Sequence, residues 1–385
     1  MPVMTADTTL PVRSPADLIA AVPYLLGFHP ADSLTVVALR GAAVTFTARH
    51  DLPPPGTPDL DRHTEARQVA AVVARQDVDS ATVIGHGPPE SVTPAVRGLA
   101  RALRDLGIPV LDELRVTDGR FWSYLCPDDG CCPPEGSPCD AGSVVAAAAT
   151  YAGQVALPDR QGLADRLAPV TGAARASMAA ATARAAHRLA ALTAAPARPP
   201  CEAPAGETGE SPDEPPAEEP GGLFGAAAGP LFGAAAVPAA VVRAGRVAVR
   251  AALRRYRDGG ELTDDEVAWL GVLLTCLPVR DHAWERVDTA QWQVRLWTDV
   301  LRRVDPAQAT APACLLSFAA WRAGDGALAW VAVERARRQD PDYAMAALLD
   351  DVLRYALPPS AVDDWPAGAP RRRGRRVLPR AATGD

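Results

Sequence analysis

Two hydrophobic periods alternate along the first third of the chain, and their order sets the expected architecture. Ser14-Pro15 reads as an N-cap followed by a first-turn proline, with Asp17 at the capping-box position. Leu18, Ile19 and Val22 follow at helical spacing, Pro23 disturbs the helix and Gly27 ends it. Residues 33–39 (Ser-Leu-Thr-Val-Val-Ala-Leu) are a short run of buried-strand type. Arg40-Gly41 turns the chain into 44–50, where Val44, Phe46 and Ala48 alternate with polar neighbours, so a β-hairpin is expected. A proline-rich loop (53–58) leads to a helix over 61–76, with Val69, Val72 and Val73 on one side. A strand over 81–84 runs into Gly85-His86-Gly87, and a helix from Thr93-Pro94 carries Val96, Leu99, Leu103 and Leu106 before Gly107 closes it. Residues 109–116 are strand-like, Asp118-Gly119 is a type I′ turn, and 120–125 return. The order β-β-α-β-α-β-β predicts an α/β domain over 12–140. Its sheet would be mixed, with a parallel core, right-handed crossovers and antiparallel strands added by the two hairpins.

The pattern then changes. Residues 141–195 are Ala-rich with scattered arginines and read as a helical extension, with helices over 141–157 and 163–193. Residues 196–236 are rich in Pro, Glu, Gly and Ala and are expected to be a disordered linker, because they hold too little apolar surface to offset the entropy of ordering. Residues 237–360 read as all-helical. Thr263-Asp-Asp-Glu266 is a capping box ahead of Val267, Leu270, Leu273, Leu274 and Leu277, and six of the eight tryptophans lie between Trp269 and Trp330. Gly324, Ala329, Ala336 and Pro341 match the spacing of a tetratricopeptide-type helix pair over 311–341. The last stretch, 361–385, is an Arg-rich tail expected to be disordered; it carries Arg371, Arg372, Arg373, Arg375, Arg376 and Arg380.

Composition removes several chemistries. All 39 basic residues are arginine; the chain has no lysine and no asparagine. A P-loop, a protein kinase site and a Schiff-base or pyridoxal enzyme all need a lysine, so none of them fits. GC-rich coding accounts for the bias, and the exclusions hold whatever its cause. No Gly-x-Ser-x-Gly elbow and no Gly-x-Gly-x-x-Gly run is present. The formal net charge of -7 equals the charge of the acidic stretch 199–222, so no global basic field points to nucleic acid. At most, the arginine tail would touch phosphates weakly. No apolar run spans a bilayer, and residues 1–10 lack the basic start and apolar run of a secretory signal, so a cytoplasmic setting is expected.

The run from Arg13 to Leu39, the segment from Trp122 to Gly136 and the stretch ending Gln339-Asp340-Pro341-Asp342-Tyr343 together resemble a family common in actinobacteria, the domain of unknown function numbered 4192. The resemblance covers most of the chain outside the acidic linker and the tail. It implies an intracellular protein of a GC-rich bacterium, and no particular activity, cofactor or partner.

Two places carry candidate chemistry. The first is the loop holding Cys126, Cys131, Cys132 and Cys139. Their spacing is not that of paired zinc ligands, and adjacent cysteines point apart. At most Cys126, one of the vicinal pair and Cys139 would reach one ion. A strained disulfide, or small thiols buried in a Pro/Gly-stiffened loop, are the other readings. No metal or cofactor is expected; were the loop to take one, it would be zinc. The second is a rim. In open α/β sheets ligands bind beyond the carboxyl ends of the parallel strands. Here those ends fall near His50-Asp51, Gly85-His86 and Val116, with the loop holding His29, Asp32 and Ser33 beside them and Arg120 opening the last strand. The cysteine loop then falls at the opposite margin. These expectations make the protein a binding or regulatory one: the rim holds a small anionic ligand through His29, Asp32, Ser33, His86 and Arg120, and the helical domain docks a protein partner. One alternative is an enzyme using His86 or His29 with Asp32 in acid–base chemistry on a phosphate or acyl compound. The other is a thiol-based redox or metal sensor at Cys126, Cys131 and Cys132.

Overall fold

The computed structural model describes residues 2–5, 8–54, 56–139, 143–194 and 237–362. The expectations for the acidic segment 196–236 and for the tail beyond residue 362 lie outside the described residues.

A short antiparallel hairpin, β1 (Pro2–Thr5) and β2 (Thr8–Pro11), opens the fold where no element was expected. Helix α1 (Pro15–Leu26) follows. Ser14 Oγ accepts the Asp17 N–H at 3.2 Å, and Gly27 ends the helix at φ +77°, a conformation that glycine adopts without a Cβ penalty. Pro23 is carried inside the helix and buried.

The main sheet has six strands in the order β4-β3-β5-β6-β7-β8. They are β3 (Ser33–Arg40), β4 (Ala43–Asp51), β5 (Ser80–His86), β6 (Val110–Thr117), β7 (Arg120–Ser123) and the two-residue β8 (Ser137–Pro138). Helix α2 (Asp59–Ala74) joins β4 to β5, and α3 (Pro89–Asp105) joins β5 to β6. Among the described strands of this sheet, β5 and β6 are the one parallel pair. The expected parallel core shrinks to this pair because β3 pairs antiparallel with both β4 and β5 and so sits between two strands that run the same way. Helix α3 begins at Pro89 rather than near Thr93. A first-turn proline gives up an N–H that has no partner there, and Pro94 is carried inside at the loss of one bond.

Alternation of side chains divides the sheet into two faces. Val37, Leu39, Ile84, Leu114 and Phe121 belong to the core cluster that includes α1 and the following helix, α4 (Val144–Tyr151). Leu34, Val36, Ala38, Ala81 and Val83 belong to a second cluster with α2 and α3. Gly85 faces α3 so closely that a Cβ there would lie 2.3 Å from Val92 Cγ1 and 2.7 Å from Val96 Cγ2.

The Ala-rich stretch is broken where continuous helices were expected. Helix α4 stops at Tyr151, and residues 154–157 run back to bridge Phe28 through Leu157. Helix α5 (Arg160–Arg166) and helix α6 (Gly172–Ala194) are separated around Pro169, which cannot continue a helix, and Val170 donates its N–H to Arg302 instead.

The described residues from 237 to 362 are helical: α7 (Ala239–Arg257), α8 (Asp264–Leu274), α9 (Leu277–Trp284), α10 (Gln291–Arg303), α11 (Thr310–Arg322), α12 (Gly326–Gln339) and α13 (Ala344–Arg354). The Thr263–Glu266 capping box forms, with Thr263 N–H donating to Glu266 Oε2 at 2.8 Å. Trp297 is fully buried, and Trp284 meets Phe318 edge-on at 5.7 Å. The two parts of the chain meet where Arg75 and Gln76, at the end of α2, donate to the carbonyls of Tyr355 and Ala356. That junction lies at the start of β5, remote from His86.

Gly85→Ala should destabilise the protein by about 1–3 kcal/mol, since the new methyl overlaps two valines held by the core. Urea unfolding of the variant beside the parent checks this, and equal midpoints would contradict the packing described.

Candidate ligand site at the carboxyl rim of the sheet

Pairing register places the rim residues. Ser33 stands opposite Asp51 on one side and His86 on the other, His86 opposite Val116, and Val116 opposite Phe121. One step inward, Thr35 stands between Arg49 and Ile84. Directly opposed residues have Cβ atoms about 5 Å apart, so Asp51, Ser33, His86, Arg49 and Thr35 form one polar patch on the α1 face.

This patch is closed over. Ser33, Thr35 and His86 are buried, and Ser33 Oγ, Thr35 Oγ1, Arg49 Nε and His86 Nε2 find no hydrogen-bond partner among the described residues. Arg49 pairs with Asp51 and donates to the Ala31 carbonyl at 3.1 Å. The loop carrying His29 and Asp32 arches over the patch. It is held by His29 N–H to the Leu157 carbonyl at 2.9 Å, and both residues are exposed at its mouth. Burial, then the charges of Arg49 and His29, push the His86 imidazole down to about 4, so it is neutral at physiological pH. The Gly87 amide is already used, donating to the Val116 carbonyl at 3.0 Å, and does not face an anion.

The structure brings His29, Asp32, Ser33 and His86 together and leaves Arg120 out. The turn at Asp118-Gly119 pairs Thr117 with Arg120, which puts Arg120 on the face opposite His86. Its guanidinium caps the carbonyls of Glu135 and Gly136.

The cysteine loop leaves the sheet beside Asp112, at the margin away from His86. Ser123 Oγ donates to Asp112 Oδ1 at 2.6 Å and accepts the Cys126 N–H at 3.2 Å. The sulfurs of Cys126, Cys131 and Cys132 all lie within 4.8 Å of one another, against the expectation that the vicinal pair would diverge. Both vicinal N–H groups donate to the Asp128 carbonyl, and that turn aims the two side chains the same way. The Cys126 thiol is held below its ordinary value by the Asp128 N–H and by its neighbours Cys132 and Cys131. Burial, then hydrogen bonds to Cys126 and Cys131, push Cys132 up to about 12. Cys139 is elsewhere: its N–H donates to the Gly119 carbonyl at the His86 end of β7.

The open space at the rim lies on the other face. A cleft of about 260 Å³ between α2 and α3 opens beside His50 and is lined by His63, Arg62, Arg97, Gly98 and Arg101 among others. Arg62 is paired with Asp59, whereas Arg97 and Arg101 have no carboxylate partner among the described residues. Arg97 stacks over the Tyr124 ring at 5.2 Å. Because β4 and β5 both end at this rim, α2 and α3 both start there; α2 lines the cleft from its first turn, where Asp59 sits, through Glu65 to Val69, and α3 lines it with its middle, from Pro94 to Arg101. Gly98 lines the cleft without being needed for packing, since a Cβ there would meet nothing within 4 Å. Sequence reasoning missed Arg97 and Arg101; their one-turn spacing on the outer face of α3 was the signal.

His86 has a consequence for stability. The unfolded chain takes up a proton on this residue near pH 6.5, while the folded chain resists it down to about 4, so stability is lost as pH falls through that window. Between pH 6.5 and 5 the loss attributable to His86 is about 2 kcal/mol. His86→Gln should therefore show a smaller drop in unfolding free energy from pH 7 to pH 5, and identical drops in parent and variant would contradict the assignment.

No curated protein and no solved structure matches this chain. The family model described as Domain of unknown function (DUF4192) matches residues 15–214 and 224–360. With α/β sheet, rim and helical part all within that match, the chain belongs to the DUF4192 family.

Proposed function

We propose that this is a binding or regulatory protein whose α/β domain holds a small anionic ligand at the carboxyl rim of its sheet. The observation that carries the reading is the cleft between α2 and α3, with Arg97 and Arg101 on one wall and no carboxylate partner for either among the described residues. Its volume of about 260 Å³ sits just below the range of drug-sized pockets, which suits a phosphate or carboxylate group on a compact molecule. Guanidinium groups hold such oxyanions in a two-point geometry that an ammonium lacks, which fits a chain whose every basic residue is arginine. The buried patch of Ser33, Thr35, Arg49 and His86 backs the rim from the other face.

The helical part supplies the partner surface. A groove of about 360 Å³ is lined by Ala244, Val247, Ala248, Ala251 and Trp269, with Arg188 and Arg243 at its edge. It suits a segment with an apolar anchor and acidic flanks. The pair α11–α12, with Ala329 and Ala336 fully buried, supports a tetratricopeptide-type reading of this part. The protein is read as cytoplasmic and as needing no cofactor for this binding.

Gly98 provides a clean test. Gly98→Ala removes a mid-helix glycine without a clash and should raise stability by about 0.5–1 kcal/mol. Gly98→Phe should fill the cleft while the chain stays folded. Native mass spectrometry of the purified chain, followed by calorimetric titration with inorganic phosphate, reads out binding. The expected outcome is binding by the parent, at least about tenfold weaker binding in an Arg97→Ala, Arg101→Ala double variant, and none in Gly98→Phe. Undiminished binding in Gly98→Phe would place the ligand elsewhere.

A further inference from the structure

Between Leu125 and Glu135 the chain holds no buried side chain, yet it is tightly folded. Gly130 N–H donates to Asp128 Oδ1 at 2.8 Å, the Cys131 and Cys132 N–H groups converge on the Asp128 carbonyl at 3.1 and 2.7 Å, and Leu125 and Cys126 N–H groups both reach Ser123 Oγ. The returning arm is clamped to β7. Trp122 Nε1 donates to the Pro134 carbonyl at 3.0 Å, Arg120 holds Glu135 and Gly136, and Gly136 lies so close to the Trp122 ring that a Cβ would approach it to 2.4 Å. Arg115 stacks on the other side of that ring at 3.8 Å. These hydrogen bonds and ring contacts tie the loop to β7, and what it brings together is three sulfurs.

We propose that Cys126, Cys131 and Cys132 bind one thiophilic metal ion of the zinc class through three thiolates, with the fourth coordination position open to solvent. Thiolates on a tetrahedral zinc, with Zn–S near 2.3 Å, stand about 3.8 Å apart. The three Sγ atoms are within 4.8 Å of one another, so small side-chain rotations close the site without moving the backbone. All three are free thiols, and no His, Asp or Glu joins the group among the described residues. An all-sulfur donor set selects soft ions over calcium or magnesium. Binding breaks three S–H bonds, releases three protons to solvent and forms three metal–sulfur bonds, with no electron transferred. Cys131 is exposed and the loop lies on the sheet margin, so the open position faces outward and can take water or an external ligand. Cys139 takes no part, because β7 separates it from the cluster.

The test uses the full chain, reduced, equilibrated with zinc sulfate and freed of loose metal by gel filtration. The expected result is one zinc per chain. Alkylation mapped by mass spectrometry should spare Cys126, Cys131 and Cys132 and label Cys139, and a chelator should expose all three. Replacing zinc by cobalt(II) should give a thiolate-to-cobalt charge-transfer band that is lost in Cys126→Ser and Cys132→Ser and kept in Cys139→Ser. Zinc affinity should fall more than about 100-fold in the first two variants, beyond the loss typical of outer-shell changes. No bound metal in the parent, with all three thiols alkylated, would overturn the proposal. So would a disulfide among the three that persists in the reduced, zinc-equilibrated chain. Neither result bears on the anion cleft, which lies on different residues.

Discussion

An antiparallel strand wedged between two strands of the opposite sense governs the α/β domain. Because β3 pairs on both sides in reverse direction, β4 and β5 must run the same way, and β6 follows β5. Their carboxyl ends therefore collect at one margin together with the start of β3. The helices that follow β4 and β5 begin at that margin and pack side by side on one face. Rim, cleft and the two helix N-termini are consequences of one pairing choice.

The two faces of the rim then diverge for reasons of burial. On the α1 face, the arch over residues 27–32 is pinned to Leu157, and the polar groups beneath it are sealed in. Burying a polar atom without a partner costs about 1–3 kcal/mol. Several such atoms gathered at one end of the sheet are therefore an expense that the aliphatic core around Val37, Leu39 and Ile84 has to offset. On the other face, Gly85 lets α3 press against β5 at the middle of the sheet, while Gly98, one helix face away, leaves the gap toward α2 unfilled. A glycine used for contact and a glycine used for space thus lie on adjacent elements.

Much of this was legible in the residues. Ser14, Gly27, Asp118-Gly119 and the Thr263–Glu266 box are local signals whose meaning does not depend on distant partners, and they mark element ends where expected. Positions that depend on a parity or a turn were harder. The face of Arg120 follows from the pairing of Thr117 with Arg120 across a two-residue turn, and counting it would have separated Arg120 from His86. The convergence of Cys131 and Cys132 is set by the Asp128 turn, which spacing alone does not reveal. The break at Pro169 is proline's own, whereas the one after Tyr151 goes with the bridge from Leu157 to Phe28, a tertiary contact in an Ala-rich stretch of high intrinsic propensity. The cleft was not legible because it is a gap between two helices, and a gap has no residue pattern of its own.

The central claim is that strand direction makes the space between α2 and α3 an anion site. A crystal structure of the full chain grown with a heavy-atom oxyanion such as tungstate tests it most directly. The account predicts anomalous density between Arg97 and Arg101, within hydrogen-bonding distance of both guanidiniums. Density confined to other arginines, with side chains closing the cleft, would contradict it.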